Sequence, residues 1–325
     1  MKRKKQKISK KNLICVLVGL LALAGILGAA VLLDHREVPV TAQETEPGGY
    51  RSYVLKPDLE TFLIMGLDKF VAPLDETGYI NDQQCDFLLL LVLNHETNTC
   101  DFLHLNRDTM TEITRIGVGG GNAGRFEGQL ALAHTYGSGG SDSAINTTKA
   151  VSHLLKGAPI DHYLAMTMDA VPLLNDLLGG VTVKIPVDMT SVDPAFKTGA
   201  EVKLQGEQAL QFIRARGSLA DSSNLSRMDR QRQFLSKLFD QIQLTMDRDS
   251  GFLNRALLEL SPHIRSDLSI NQIDALGKKI QDLKVNPFKT LDGKAVKGEK
   301  YMEFYVDPDA LDRVLLDLFY EPAEN

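Results

Sequence analysis

Six polar side chains at the predicted ends of strands and helices have the types and spacing to bind an anion: Arg107, Arg214, Arg216, Arg227, Arg230 and Gln231. Arg107 follows an apolar strand. If their segment is extended, Arg214 and Arg216 share a face about 6.5–7 Å apart. The last three lie on the first turns of a predicted long helix, within ~100° of arc. Guanidinium groups bind phosphate in bidentate pairs, and a helix N-terminus adds its dipole. The set predicts a phosphate site, with surface ion pairing as the alternative for any single arginine.

Two carboxylates also lie at the predicted ends of strands. Asp68 follows the apolar strand that ends at Leu67, and Asp86 opens the next strand. Mg²⁺ commonly takes one or two carboxylates together with phosphate oxygens. Asp68 and Asp86 are therefore candidate Mg²⁺ ligands, and a turn or cap role is the alternative for each alone.

The sequence lacks convincing motifs for several other kinds of functional site. Residues 119–124 match G-x-G-x-x-G, but they lie in a glycine-rich tract beginning at Gly117, and the prediction there is a flexible loop. The sequence contains no phosphate loop of the G-x-x-x-x-G-K-[ST] type, no G-x-S-x-G elbow and no zinc-ligand spacing.

The elements that position these residues alternate between strands and helices. Strands are predicted at residues 61–66, 86–93, 100–105, 163–167, 181–185 and 301–306. Helices are predicted at 141–155 (with Ser141 as N-cap), 170–178, 225–246, 252–260, 271–283 and 308–319. This alternation predicts an α/β fold: a single large domain with a central mixed β-sheet flanked by helices.

The strands at 86–93 and 100–105 are predicted to form a hairpin with a turn near residues 95–98. In that register Cys100 faces residues 92–93, and Cys85 lies roughly 25 Å away. This separation exceeds disulfide reach. Both cysteines are predicted to be small buried residues or free thiols.

The N-terminus predicts a membrane anchor. Residues 13–33 carry no charge and span roughly 31 Å as a helix, enough to cross a bilayer; a cleaved signal peptide is the alternative. The basic residues in 1–12 predict a cytoplasmic tail. Residues 34–58 are predicted to be an extracellular linker and residues 59–320 the folded domain, outside the cell membrane on a single-pass anchor.

Charge is divided unevenly along the chain. Residues 1–33 contain seven basic residues and no acid, while the rest contains 29 basic and 42 acidic residues, a net of −13. An acidic body argues against nucleic acid as a partner. With 43% hydrophobic residues, the chain is also not a mostly disordered one.

In order and spacing, eight segments of this sequence resemble the LytR-CpsA-Psr (LCP) family of cell-wall glycopolymer transferases. The resemblance covers roughly residues 61–241. The segments are FLIMGLD (62–68), DFLLL (86–90), NRDT (106–109), PIDHY (159–163), NDLLGGVTV (175–183), GEQAL (206–210), RAR (214–216) and RMDRQ (227–231).

The resemblance implies a reaction and a set of roles. The donor is an undecaprenyl-pyrophosphate-linked glycopolymer, teichoic acid or capsule, and the acceptor is a peptidoglycan muramic-acid hydroxyl. The product is a phosphodiester. The family's pyrophosphate-binding residues correspond to the six polar residues above, and its Mg²⁺ ligands to Asp68 and Asp86. Arg107, Arg227 and Asp108 are the implied catalytic residues, with Asp108 either structural or involved in activating the hydroxyl. The family's lipid occupies an apolar cleft.

One departure from the family pattern concerns the start of the long helix. Asn224 stands where the family usually has an aspartate three residues before the first helix arginine. An amide accepts a hydrogen bond but supplies no charge. This leaves two alternatives to the transferase: a non-catalytic glycan-binding or regulatory protein, and a pyrophosphate hydrolase using the same site.

Overall fold

A computed structural model describes residues 53–68, 82–117, 120–215, 224–246, 251–269 and 283–323, with residues 45–46, 49–50, 248–249 and 272. The predicted membrane span at residues 13–33 lies outside the described residues, as do Arg216 and most of the predicted helix at 271–283. Within the described part of the chain, no helix is long and apolar enough to cross a membrane.

The centre of the domain is a six-stranded mixed sheet. The described strands are β1 (Thr45–Glu46), β2 (Gly49–Tyr50), β3 (Tyr53–Leu55), β4 (Leu59–Leu67), β5 (Cys85–Asn94), β6 (Thr99–Leu105), β7 (Met110–Ile116), β8 (Asn122–Gln129), β9 (His162–Thr167), β10 (Thr182–Lys184), β11 (Glu201–Lys203), β12 (Ile264–Ser266), β13 (Lys284–Thr290), β14 (Gly293–Lys297), β15 (Met302–Val306) and β16 (Tyr320–Pro322). The sheet order is β12-β9-β4-β5-β6-β13. The β9–β4 and β6–β13 pairs are parallel and the other pairs are antiparallel, which confirms the predicted mixed sheet.

Helices cover both faces of this sheet. They are α1 (Ser141–Leu154), α2 (Ala170–Leu177), α3 (Glu207–Arg214), α4 (Asn224–Met246), α5 (Phe252–Leu260) and α6 (Pro308–Leu318), with 3-10 turns at Leu130–Tyr136 and Ser261–His263. The prediction of Ser141 as N-cap was wrong, because Gly140 caps α1 and Ser141 is its first residue.

The sheet separates two apolar cores. Along β5, Leu89, Leu91 and Leu93 face the first core, which packs against α2 to α5. Leu88 and Leu90 face the second core, which packs against α1 and α6. A strand buried on both faces has to be apolar at every position, and this explains the unbroken apolar run in β5.

The glycine-rich tract is more ordered than its composition indicates. Residues 122–128, predicted as part of a flexible loop, belong to β8, which pairs antiparallel with β7. Phe126 of β8 packs on Tyr136, with ring centroids 4.7 Å apart, and the Arg115 guanidinium lies over the Phe126 ring at 4.7 Å from its centroid. This strand-to-strand setting also excludes a dinucleotide site, which needs a helix after the glycines.

The β5–β6 hairpin confirms the predicted cysteine geometry. Leu93 pairs with Cys100, and Cys85 and Cys100 are both buried free thiols. Burial raises the pKa of the Cys85 thiol to about 12. Cys85 is therefore protonated and unreactive at neutral pH.

The region predicted as a linker, residues 34–58, is described mainly at its C-terminal end. There β3 pairs antiparallel with β16, and Leu55 lies opposite Tyr320. The Lys56 N–H also donates to Phe319 O at 2.8 Å. The end of the predicted linker is therefore bonded to the C-terminal strand of the domain.

Candidate functional site

A tight turn at the end of β6 presents the central arginine. The Asn106 side chain accepts a hydrogen bond from the Asp108 backbone N–H at 3.0 Å, and the Asn106 backbone carbonyl accepts from the Thr109 N–H at 3.1 Å. An asparagine that bonds the backbone two residues on is a common turn former. All four residues of NRDT are buried, so the turn is fixed by the protein around it.

Arg107 and Asp86 face each other because of the hairpin register. Leu88 pairs with Leu105, and each of the two charged residues lies two positions further toward the same edge. Arg107 Nη1 forms an ion pair with Asp86 Oδ1, with the two side chains 10% and 13% exposed. Its Nη2 donates to Gln84 Oε1 at 2.7 Å, and its Nε lies 3.4 Å from Asp108 Oδ1. The guanidinium is thus held in one orientation at the strand ends.

Arg214 joins this group from the last turn of α3. Its Nη2 lies 2.6 Å from Asp68 Oδ1 and 3.9 Å from Asp86 Oδ2. The predicted shared face of Arg214 and Arg216 required an extended segment, and Arg214 is instead the last residue of a helix. It is helical because Ala209, Phe212 and Ile213, on one side of α3, are buried in the first core.

Arg227 reaches the site through two amides. Its Nη2 donates to Asn224 Oδ1, and Asn224 Nδ2 donates to Asn106 Oδ1. The amide at position 224 therefore accepts from the arginine, as a carboxylate would, and also donates to the turn, which a carboxylate does not do. Arg227 is 3% exposed.

Arg230 forms hydrogen bonds with backbone carbonyls at the C-terminal end of α3. Its Nε donates to Phe212 O at 3.0 Å, its Nη2 to Ala215 O at 2.5 Å and its Nη1 to Ser226 Oγ at 3.0 Å. Carbonyls at a helix C-terminus need such donors. The structure thus places Arg230 behind Arg214, where it braces the helix that carries Arg214.

An apolar cleft runs away from the charged group on the first-core side of the sheet. Its walls come from β4, β5, β9, α2, α3 and α4, and include Gly66, Phe87, Met166, Val171, Ile213, Phe234, Leu235 and Leu238. Gly66 is required there because a Cβ would lie 2.9 Å from the Phe87 Cβ.

Gln231 marks the polar end of this cleft. Its Nε2 donates to Ile213 O at 3.4 Å, while its buried Oε1 has no hydrogen-bond partner among the described residues. A buried unpaired acceptor costs free energy unless a ligand or water satisfies it. The cleft is therefore suited to a long apolar ligand with a polar head at the arginines.

Three contributors to the site were not predicted. Gln84 and Gln129 hold Arg107 and Asp108 through single hydrogen bonds, for which a sequence has no signal. His104, on β6, packs on Phe87 with ring centroids 4.9 Å apart. Burial, with the nearby charges of Arg232 and Arg227, lowers the pKa of His104 to about 3. Alternation along β6 places it on the same face as Asn106, which is a signal that could have been used.

Asp68 and Asp86, the predicted Mg²⁺ ligands, have the carboxylate oxygens that Mg²⁺ takes in proteins. Asp68 and Asp86 converge on the same Arg214 nitrogen, so they lie close together at the cleft mouth. Among the described residues, no three His, Cys, Asp or Glu side chains form a metal cluster. Two carboxylates fit Mg²⁺ when phosphate oxygens and water complete its shell. The residues present thus fit a metal that binds together with a phosphate ligand.

The chain belongs to the LytR_cpsA_psr family, whose model matches residues 36–315. The resemblance drawn from the eight segments is thereby confirmed. A curated relative, the polyisoprenyl-teichoic acid–peptidoglycan teichoic acid transferase TagU of Bacillus subtilis (strain 168), is 28% identical over 244 residues, covering 73% of this chain and 72% of that protein.

Solved structures share the fold. The protein gbs0355 from Streptococcus agalactiae aligns with a TM-score of 0.65 at 20% identity, covering 82% of this chain and 90% of that one. TagT bound to LIIa-WTA aligns with a TM-score of 0.57 at 22% identity, covering 87% of this chain and 95% of that one. These similarities establish the architecture of the domain.

Proposed function

We propose that this protein is a phosphotransferase that moves a glycopolymer from an undecaprenyl-pyrophosphate carrier to a muramic-acid hydroxyl of peptidoglycan. The observation that carries the proposal is the convergence of Arg107, Arg214 and Arg227 with two carboxylates at the mouth of an apolar cleft. A pyrophosphate with a polyprenyl chain has the same division, with an anionic head and a long apolar tail. Family membership and the TagU relatives support the same class and favour teichoic acid as the polymer.

A bound pyrophosphate would replace the carboxylates as the partner of the arginines. Arg107 and Arg214 already bind carboxylate oxygens, and guanidinium groups bind phosphate oxygens in the same geometry. Arg227 and Arg230, near the start of α4, add positive charge, and Gln231 lies where the head meets the tail. Arg216 is expected to join this set. Bound Mg²⁺, held by Asp68 and Asp86, would offset negative charge on the phosphate oxygens.

Bond making and breaking follow from this arrangement. The acceptor hydroxyl oxygen attacks the phosphorus that carries the glycopolymer, and the bond from that phosphorus to the bridging oxygen breaks. Undecaprenyl phosphate leaves, and the polymer remains on a phosphodiester. Phosphoryl transfer depends mainly on positioning and on stabilising oxygen charge, which fixed arginines supply.

Asp108 has two candidate roles in this reaction. Its Oδ1 lies 3.4 Å from Arg107 Nε and accepts from Gln129 Nε2 at 3.2 Å, which suits a residue that positions Arg107. A carboxylate beside the phosphate site also suits a group that takes the hydroxyl proton. Asp108→Asn separates the roles, because it retains a hydrogen-bonding oxygen and removes the base.

The test is transfer in vitro by the full-length protein in detergent. Defined lipid-linked donors and peptidoglycan fragments are supplied with and without a chelator. The proposal expects polymer attached to the fragments, undecaprenyl phosphate released, and both lost in chelator and restored by Mg²⁺. Full turnover in chelator would remove the metal from the mechanism.

Asn224 favours a second candidate, a glycan-binding or regulatory protein without turnover. Binding of the lipid pyrophosphate with no product under all conditions would support it. A hydrolase would release polymer phosphate when peptidoglycan is omitted. Product analysis without the acceptor therefore separates hydrolysis from transfer.

The proposal places the domain outside the cell on a single N-terminal span with its basic tail inside. Protease treatment of intact cells is expected to remove the domain. Full protection of the domain in intact cells, with digestion after lysis, would contradict this orientation.

A further inference from the structure

The side-chain amide of Gln129 joins the turn that carries Asp108 to the β14–β15 hairpin. Its Nε2 donates to Asp108 Oδ1 at 3.2 Å and to Met302 O at 2.7 Å. A glutamine amide has two N–H groups on this nitrogen, so both of its donors are engaged. The amide is therefore held between a side chain of the candidate site and the backbone of a separate hairpin.

The backbone around Gln129 is fixed against the same turn. Gln129 is the last residue of β8, and the two residues that follow it bond to the turn. The Leu130 N–H donates to Thr109 O at 2.8 Å. The Ala131 N–H donates to Arg107 O at 2.9 Å. Because Gln129 is also buried, its amide has little freedom to turn elsewhere.

The hairpin on the other side of the amide is itself held in place. The Phe304 N–H donates to Asp108 O at 2.9 Å, and the Phe304 side chain is buried. The two strands of the hairpin pack closely, because a Cβ at Gly293 would collide with the Tyr305 carbonyl oxygen and lie 2.8 Å from Phe304 Cζ. Met302 O is therefore a fixed acceptor for the amide.

The hydrogen bond from Gln129 distinguishes the two carboxylate oxygens of Asp108. Oδ1 accepts this bond and lies 3.4 Å from Arg107 Nε. Oδ2 has no hydrogen-bond or ion-pair partner among the residues that the structure describes. A carboxylate oxygen is an acceptor only, so Oδ2 keeps its full capacity to accept. Fixing Oδ1 therefore sets the plane of the buried carboxylate and leaves Oδ2 available to a ligand.

We propose that Gln129 is a positioning residue for polymer transfer, which fixes the Asp108 carboxylate by bonding it to the β14–β15 hairpin. The inference rests on the proposed function, in which Asp108 either positions Arg107 or takes the hydroxyl proton. Both roles require the carboxylate to keep one orientation, because a misplacement of about 1 Å at a reacting centre lowers a rate by about 10²-fold. The hairpin thereby contributes to transfer through Gln129.

The experiment measures transfer by the full-length protein in detergent, with a defined lipid-linked donor and peptidoglycan fragments. Gln129→Met keeps nearly the length of the side chain and removes both donors. Gln129→Glu keeps the shape and places oxygens against two acceptors that need a donor. The matched control is Gln241→Met, which removes the bond from a glutamine amide to Leu178 O at 3.2 Å. This control site lies about 21 Å along α4 from Arg227.

We expect Gln129→Met to lower kcat about tenfold, because a buried carboxylate loses a hydrogen bond, and Gln129→Glu to lower it further. Both variants keep the wild-type donor KM, and Gln241→Met keeps the wild-type kcat. Asp108→Ala removes the carboxylate and so tests whether Gln129 acts through it. Residues that act through each other have non-additive effects, so adding Gln129→Met to Asp108→Ala should change kcat by about twofold at most.

A wild-type kcat in Gln129→Met overturns the inference, and so does a full tenfold loss when Gln129→Met is added to Asp108→Ala. A raised donor KM with unchanged kcat also overturns it, because that result assigns Gln129 to ligand binding. A wild-type protein that transfers nothing contradicts the proposed function instead. Where no rate is measurable, urea unfolding of the same four proteins decides, since additive losses of stability would refute the link between Gln129 and Asp108.

Discussion

Arg214 Nη2 lies 2.6 Å from Asp68 Oδ1, so the arginine at the end of α3 is tied to the carboxylate at the end of β4. The pair joins a helix packed on the first core to the central sheet. It also keeps a guanidinium at the cleft mouth without a bound anion. A phosphate group arriving there would replace a carboxylate partner and leave Asp68 available to a cation.

Arg214→Ala is expected to lower the transfer rate about 10²-fold, as removal of one charge-stabilising donor does, with little effect on folding. The Arg214 and Asp68 side chains are 41% and 45% exposed, and such pairs contribute about 0–1 kcal/mol to stability. Initial rates and thermal unfolding measure the two effects. Arg255→Ala, which breaks the exposed pair with Asp249, is the control and should retain full activity. Equal rates for both variants would remove Arg214 from the site.

Asn224→Ala is expected to reduce kcat about tenfold, because the buried Arg227 guanidinium loses a hydrogen-bond acceptor. Asn224→Asp should match or exceed the wild-type kcat, because a carboxylate binds the guanidinium more strongly than an amide does. Steady-state rates at saturating donor concentration measure kcat for both variants and for the wild type. A larger loss in Asn224→Asp than in Asn224→Ala would mean that the bond to Asn106 is the one that matters.

Leu235→Trp is expected to raise the KM for long-chain polyprenyl donors and to leave short-chain donors unaffected. Leu235 lines the apolar cleft and is only partly buried, so a larger ring enters the cleft without overfilling the core. Leu258→Trp on α5, outside the cleft, is the matched control. Equal KM values for long-chain donors in the two variants would show that the lipid lies elsewhere.

The stability of the domain is expected to fall as the pH drops below 6.5. Burial holds the pKa of His104 at about 3 and that of His134 at about 4, against 6.5 for an unfolded histidine. The unfolded chain takes up protons first, so the stability present above pH 6.5 is lost as the pH falls toward the folded pKa values.

Between pH 6.5 and 4.5, His104 alone accounts for about 2 kcal/mol of this loss. His104→Phe keeps a ring against Phe87 and removes the titration, so its stability should depend less steeply on pH. Urea unfolding at several pH values measures the slopes. Identical slopes for the variant and the wild type would contradict the assignment.

Much of the fold follows from local sequence pattern. The apolar runs in β4, β5 and β6 require strands buried on both faces, and the hairpin register places Cys100 opposite Leu93. The same register brings Arg107 to Asp86, which agrees with the prediction that the carboxylates lie beside the arginine cluster. The β7–β8 pair was missed because glycine-rich composition indicates a loop when no partner strand is known.

The sequence by itself determined the family, the central strands and the residue types at the site, since each depends on local periodicity or on the order of short motifs. Only the tertiary structure decided which partner each of those residues contacts. Arg214 faces Asp68, whereas Arg230 turns to the end of α3, because packing of α3 against α4 sets each direction. It also decided that some apolar residues line a cleft while others fill a core. Both environments select the same side chains, and the difference is whether an opposing surface occupies the space.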